Sequence, residues 1–107
     1  MSLQINIKTS EANKEVVSQL TKKLNLGSEN IISRIALAYS LSKKIRLDPE
    51  TDLSDSKGKE YKEDVLFGKF RDFYVAMICQ LYGLDKKEES IPKYLKMHID
   101  NGLELIQ

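Results

Sequence analysis

Residues 28–45, SENIISRIALAYSLSKKI, constrain the fold more than any other part of this chain. Between Ile31 and Leu41 only Ser33, Arg34 and Ser40 interrupt the apolar run. The run falls well short of the roughly 20 apolar residues that a membrane span needs, so protein must bury it. A helix that is apolar nearly all round predicts neighbours on more than one side. The arginine inside it needs a bonded partner, because an unpaired buried charge is costly. Ser28 suits the start of this helix, and Lys43, Lys44 and Arg46 suit its end, where cations complement the helix dipole.

A chain of 107 residues reads as one domain spanning 1–107. Its size is near the lower end for a self-sufficient core. With the surplus apolar surface of 28–45, this predicts a homo-oligomer. Cys79 is the single cysteine, so no intrachain disulfide can form. Within VAMICQLY, with no adjacent base, it reads as a reduced, inert core residue. Nothing reads as a secretory leader or a membrane span, and the expected location is the cytoplasm. The net charge of +1 conceals an asymmetry. Residues 1–46 hold eight Lys/Arg against three acids, and residues 47–107 hold nine against thirteen. The basic half predicts attraction to a polyanion.

The fold class read from the pattern is mainly α: a short N-terminal strand or extended arm, then about four helices. In LQINIKTS, Leu3, Ile5 and Ile7 alternate with Gln4, Asn6 and Lys8, which predicts a half-buried strand over 3–8. Nothing else in the sequence reads as β, so this strand must pair outside its own chain or lie along the surface. Ser10 caps a first helix whose stripe is Val16, Val17, Leu20 and Leu24, with Gly27 as the C′ residue. Residues 47–66 form an irregular acidic loop containing Pro49 and Gly58. A third helix over about 69–81, with Phe70, Phe73, Tyr74, Met77, Ile78 and Leu81 at three-to-four spacing, closes on Gly83. Ser90 and Pro92 open a fourth, whose inner face is Tyr94, Leu95, His98, Ile99, Leu103 and Ile106.

Strand, helix, Gly turn and apolar helix is the layout of ribbon–helix–helix DNA-binding proteins. In such a dimer, paired strands would offer Gln4, Asn6 and Lys8 to a major groove, which admits a two-stranded ribbon. The N-terminus of the second helix would hold a phosphate, although Glu29 competes there. The alternative is that residues 3–8 are an arm covering the core.

NIISRIALAYSL (30–41), VLFGKF (65–70) and HIDNGLELI (98–106) together resemble the DndE family, the small subunit of the bacterial DNA phosphorothioation machinery. The resemblance runs from about Ile7 to the end of the chain. It implies a helical homo-oligomer that binds double-stranded DNA at its backbone, nicks included. It also implies that other subunits of the system, a sulfur-transferring enzyme and an ATPase, are partners, and that the small subunit catalyses nothing itself.

Lys8, Lys14, Lys22, Lys23, Arg34, Lys43, Lys44 and Arg46 supply the positive half and are the candidate DNA contacts. Arg34 falls on the family's Ser-Arg pair and could reach a phosphate, but a bond to a carboxylate or to helix carbonyls explains it better. His98, the lone histidine, reads as a hydrogen-bonded core residue. Gly102, within the last predicted helix, reads as a point of close backbone approach. Phosphate-binding glycine loops, nucleophile elbows and zinc-ligand spacing do not occur in the sequence. No metal or cofactor is expected, and an enzyme is the weakest class. A ribbon–helix–helix repressor and a protein-interaction scaffold are the alternatives to a DNA-binding accessory subunit.

Overall fold

The computed structural model describes residues 6–48, 58 and 60–106. Gln4 and half of the acidic loop expected over 47–66 lie outside the described residues. The elements run β1 (Asn6–Lys8), α1 (Glu11–Lys23), α2 (Glu29–Ser42), β2 (Glu60–Lys62), α3 (Glu63–Phe67), a 3₁₀ turn (Gly68–Phe70), α4 (Arg71–Tyr82) and α5 (Ile91–Ile106).

Ser10 caps α1 as expected, its hydroxyl accepting from the Asn13 amide at 3.3 Å. Asn13, Val17 and Thr21, one turn apart, face inward. The end of the helix differs from expectation. Leu26 N–H bonds the Thr21 carbonyl and Asn25 N–H that of Lys22, with Asn25 at φ +54°. That pair of bonds is a Schellman motif with asparagine, not Gly27, at C′. Asparagine accepts the left-handed region more readily than most residues.

One side of α2 is buried: Ile32, Ser33, Ala36, Leu37, Ser40 and Leu41. Its main neighbour is α5, and the two helices come very close. A Cβ placed on Gly102 of α5 would stand 2.0 Å from the Ala36 carbonyl oxygen, so only glycine fits this crossing. Around it pack Ile32, Leu37, Leu66, Phe67, Ile78, Leu95, Ile99 and Leu103, all fully buried. The other side of α2 stays open in the single chain: Ile31, Ile35 and Tyr39 are 37–44% exposed.

β1 is not alone. It pairs antiparallel with β2, Ile7 opposite Tyr61 and Lys8 opposite Glu60. The strand therefore finds its partner within its own chain, and no second copy is needed to satisfy that edge. The three residues EYK are too few to show an alternating pattern, which is why β2 was invisible in the sequence. Ile7 and Tyr61 are both buried, so this end of the chain does cover the core. Tyr61 also donates its hydroxyl to the Glu29 carbonyl at 3.3 Å and accepts from Ser33 Oγ at 2.8 Å.

α5 fixes the N-terminal segment as well. Lys96 Nζ donates to the Lys8 carbonyl at 2.7 Å and lies 3.2 Å from Asp100 Oδ2. Asp100 Oδ1 accepts from Asn13 Nδ2 at 2.8 Å and from the Ser10 amide at 3.3 Å. A buried lysine is tolerable because every charge in this cluster is bonded.

The third helix also departs from expectation. A short helix, α3, precedes it; Gly68, at φ +55°, separates the two, and the expected helix begins at Arg71 as α4. Tyr74, Val75 and Ile78 face the core, while Phe70 and Phe73 are 46% and 59% exposed. Of the residues at three-to-four spacing, these two aromatics lie on the open side, Phe70 in the turn before α4. Gly83 ends α4 in the left-handed region, with the Leu84 amide on the Cys79 carbonyl.

Candidate nucleic-acid interface

The exposed cations gather most densely where α2 ends. Lys43 continues the helical conformation, and its ammonium lies 4.6 Å from the centre of the Tyr39 ring. Lys44 is left-handed at φ +57°, uncommon for a lysine and a position the surrounding fold must hold. The chain turns there and runs to the end of α4. Arg46 Nε donates to the Leu81 carbonyl at 2.7 Å, and the Leu47 amide donates to the Tyr82 hydroxyl at 2.8 Å. These two bonds fix the linker against α4. The guanidinium thereby completes a C-terminal carbonyl of α4 and is held in one place.

Between the ends of α2 and α4 lies a cleft of about 790 Å³, lined by Leu41, Ser42, Lys44, Arg46, Met77, Gln80 and Leu81. Its floor is apolar, its rim carries two cations, and among the described residues no carboxylate lines it. Lys44 and Arg46 were legible in the sequence as basic residues. Met77, Gln80 and Leu81 were not legible as their neighbours, because some 35 residues separate the two sides.

The remaining candidates are dispersed. Lys22 and Lys23 are exposed in the last turn of α1. They stand near the start of α2, whose length of 14 residues separates its ends by about 20 Å. Lys14 lines a second cleft with Glu11, Glu15, Glu29 and Glu60, a setting that repels phosphate. Lys8 is exposed on β1. Arg34, the charge inside the apolar helix, gives its Nε to the Leu66 carbonyl at 2.7 Å. Its partner is a helix-end carbonyl, as the structural reading of that arginine requires.

The residues with chemical potential are occupied internally. His98 is fully buried, with Nδ1 2.7 Å from Ser40 Oγ and Nε2 2.8 Å from the Tyr82 hydroxyl. Asn101 Nδ2 donates to the same Ser40 oxygen at 2.9 Å. Burial lowers the histidine pKa from 6.5 to about 4, so the ring is neutral near pH 7. Burial likewise pushes the Tyr82 hydroxyl and the Cys79 thiol up, which keeps the thiol protonated and unreactive. His98 is thus the bonded core residue that its sequence context predicts. Among the described residues no helix is long and apolar enough to cross a membrane.

The family model described as DNA sulphur modification protein DndE matches residues 6–107. No curated protein matches the sequence. Among solved structures, the chain is similar to the crystal structure of DndE from Escherichia coli B7A, involved in DNA phosphorothioation modification. The identity is 18%, all of both chains is covered, and the TM-score is 0.74. It is similar also to a crystal structure of a DndE mutant, at 20% identity, full coverage of both chains and a TM-score of 0.77. At these identities the likeness concerns the fold.

Proposed function

The chain belongs to the DndE family, whose members take part in DNA sulphur modification, and from this premise we propose that it is a non-catalytic subunit that holds the DNA backbone for the modifying machinery. The observation that carries this reading is the cationic end of α2. Lys43, Lys44 and Arg46 are exposed together there, beside a cleft that no carboxylate of the described residues lines. Phosphate contacts position a protein on a duplex without reading sequence, and chemistry on a backbone linkage needs that positioning. The non-catalytic part is supported by the occupied state of His98 and the raised Cys79 thiol. The in-chain pairing of β1 with β2 favours this reading over a ribbon–helix–helix repressor, because Lys8 then faces Glu60 across a ladder. The open side of α2, Ile31, Ile35 and Tyr39, suits contact with further copies. A cytoplasmic location and partner subunits of the sulphur-modification system complete the proposal.

A protein-docking scaffold is the second reading, and the acidic cleft of Glu11, Glu15, Glu29 and Glu60 favours it.

The deciding measurement is a salt titration of binding to intact and nicked duplexes. Lys43→Glu with Lys44→Glu should weaken binding to all sequences alike. The slope of log affinity against log salt should flatten by about one unit per lost contact. An unchanged affinity and slope would remove this surface from the interface, and failure of the wild type to bind at low salt would promote the scaffold.

A further inference from the structure

We propose that the cleft between the ends of α2 and α4 binds a single nucleotide unit, with the base against the apolar floor and the phosphate at the cationic rim. The inference rests on the DNA-binding reading only for the source of that nucleotide. The site itself stands on its lining.

Its volume, about 790 Å³, falls in the range of roughly 300–1,000 Å³ typical of small-molecule clefts. A simple anion needs neither that volume nor the floor of Leu41, Met77 and Leu81. A planar, apolar-faced group uses both. Methionine sulfur packs well against aromatic rings, and guanidinium planes stack on bases. The Arg46 guanidinium is already oriented by its Nε bond to Leu81, so little freedom is lost when a ligand meets it. Gln80 brings a carboxamide to the rim, a donor and acceptor side by side that can pair with a base edge. Ser42 gives its proton to the Tyr39 carbonyl at 2.6 Å, which leaves its oxygen as an acceptor facing the cleft.

Two helix C-termini meet at this place, and each presents about half a negative charge. Against those partial charges, Lys44 and Arg46 line the cleft and Lys43 stands beside it. The left-handed backbone at Lys44 makes the turn that brings Arg46 back over the cleft. A substitution there that cannot hold this conformation would open the rim.

The test is a heteronuclear NMR titration of the full chain with thymidine 5′-monophosphate, with inorganic phosphate as the control. The monophosphate should shift the Met77 methyl, the Gln80 side-chain amide and the Arg46 Nε–H together. It should bind about tenfold more tightly than phosphate, and the difference should vanish in Gln80→Ala with Arg46→Gln. Circular dichroism matching the wild type keeps the variant interpretable. A second titration uses a duplex ending in one unpaired 5′-nucleotide. Tighter binding than the free monophosphate identifies a DNA strand as the source, and weaker binding identifies a free nucleotide. Equal binding of phosphate and monophosphate, or an unmoved Met77 methyl, overturns the site. If intact duplex binds while the monophosphate does not, the cleft proposal fails and the backbone-binding reading survives. The reverse result keeps the cleft and removes that reading.

Discussion

Towards α5, the helix α2 turns Ser33, Ala36, Leu37 and Ser40, none more than 1% exposed; away from it, the same helix turns Ile31, Ile35 and Tyr39, all above 35%. The buried side, which also holds Ile32 and Leu41, is not purely apolar. Its serines bond Tyr61 and His98, and its small residue Ala36 sits against Gly102. The outward side is no less apolar: Ile31, Ile35 and Tyr39 lie there, with Arg34 among them. Hydrophobicity alone therefore does not tell which side of a helix is inside. Fit decides it: the side with small and hydrogen-bonding residues lets another backbone come close, and the bulky side is left for a different contact.

The largest break in this contrast should come at Gly102. Gly102→Ala forces a methyl group into the Ala36 carbonyl, backbone that cannot swing aside. Overpacking of this kind costs about 3 kcal/mol or more, and urea unfolding should register that loss. A variant as stable as the wild type would mean that the helices can separate without penalty.

Next in size is the pH response of the polar seam. His98 accepts a proton near 6.5 when unfolded and near 4 in the fold. Above about pH 6.5 both states hold neutral imidazole and the full contribution is present. As pH falls through this window only the unfolded chain gains a proton, so the fold loses up to about 3 kcal/mol. The loss levels off below about pH 4. The stability difference between wild type and His98→Gln, measured from pH 7.5 to 4, should shrink by that amount. A constant difference would place the histidine in contact with water.

The smallest effect on the single chain should come from the open side. Ile35→Asp, at a position 44% exposed, should change monomer stability by less than about 0.5 kcal/mol. If the proposed contact with further copies uses this face, the substitution should lower the assembly mass in light scattering. A large fall in the urea midpoint at a concentration where the wild type is monomeric would erase the contrast.

Much of this architecture was legible in the sequence where the signal is local. The Ser10 cap of α1, the inner face of α5 and the close approach at Gly102 follow from spacing and residue type. Of the stripe expected for α1, Val17 is buried, Val16 and Leu20 partly so, and Leu24 is 50% exposed while Asn13 and Thr21 turn inward. What escaped depends on meetings between distant segments. β2 is three residues long and takes its identity from β1. α3 is carved from a polar stretch by the break at Gly68 and the partner it finds in Arg34. The cleft at the end of α2 needs Met77, Gln80 and Leu81, which no local pattern assigns to Lys44 and Arg46. The cations themselves were identifiable, but their dispersal was not: Lys14 among carboxylates and Lys43 over a tyrosine ring look alike as letters.

The closeness of α2 and α5 bears on how the chain is made. α5 touches β1 through Lys96, α1 through Asp100 and α2 through Gly102, and all three precede it by more than 60 residues. A nascent chain that has left the ribosome only as far as Glu89 lacks the helix that covers α2 at Ala36 and Ser40. That part of α2 then faces water or other unfinished chains. Closing so long a loop is slow compared with forming the helices themselves, and exposed apolar surface in that interval favours misassociation. Synthesis should thus pass through a period in which the core lacks its largest helix, ended when α5 arrives.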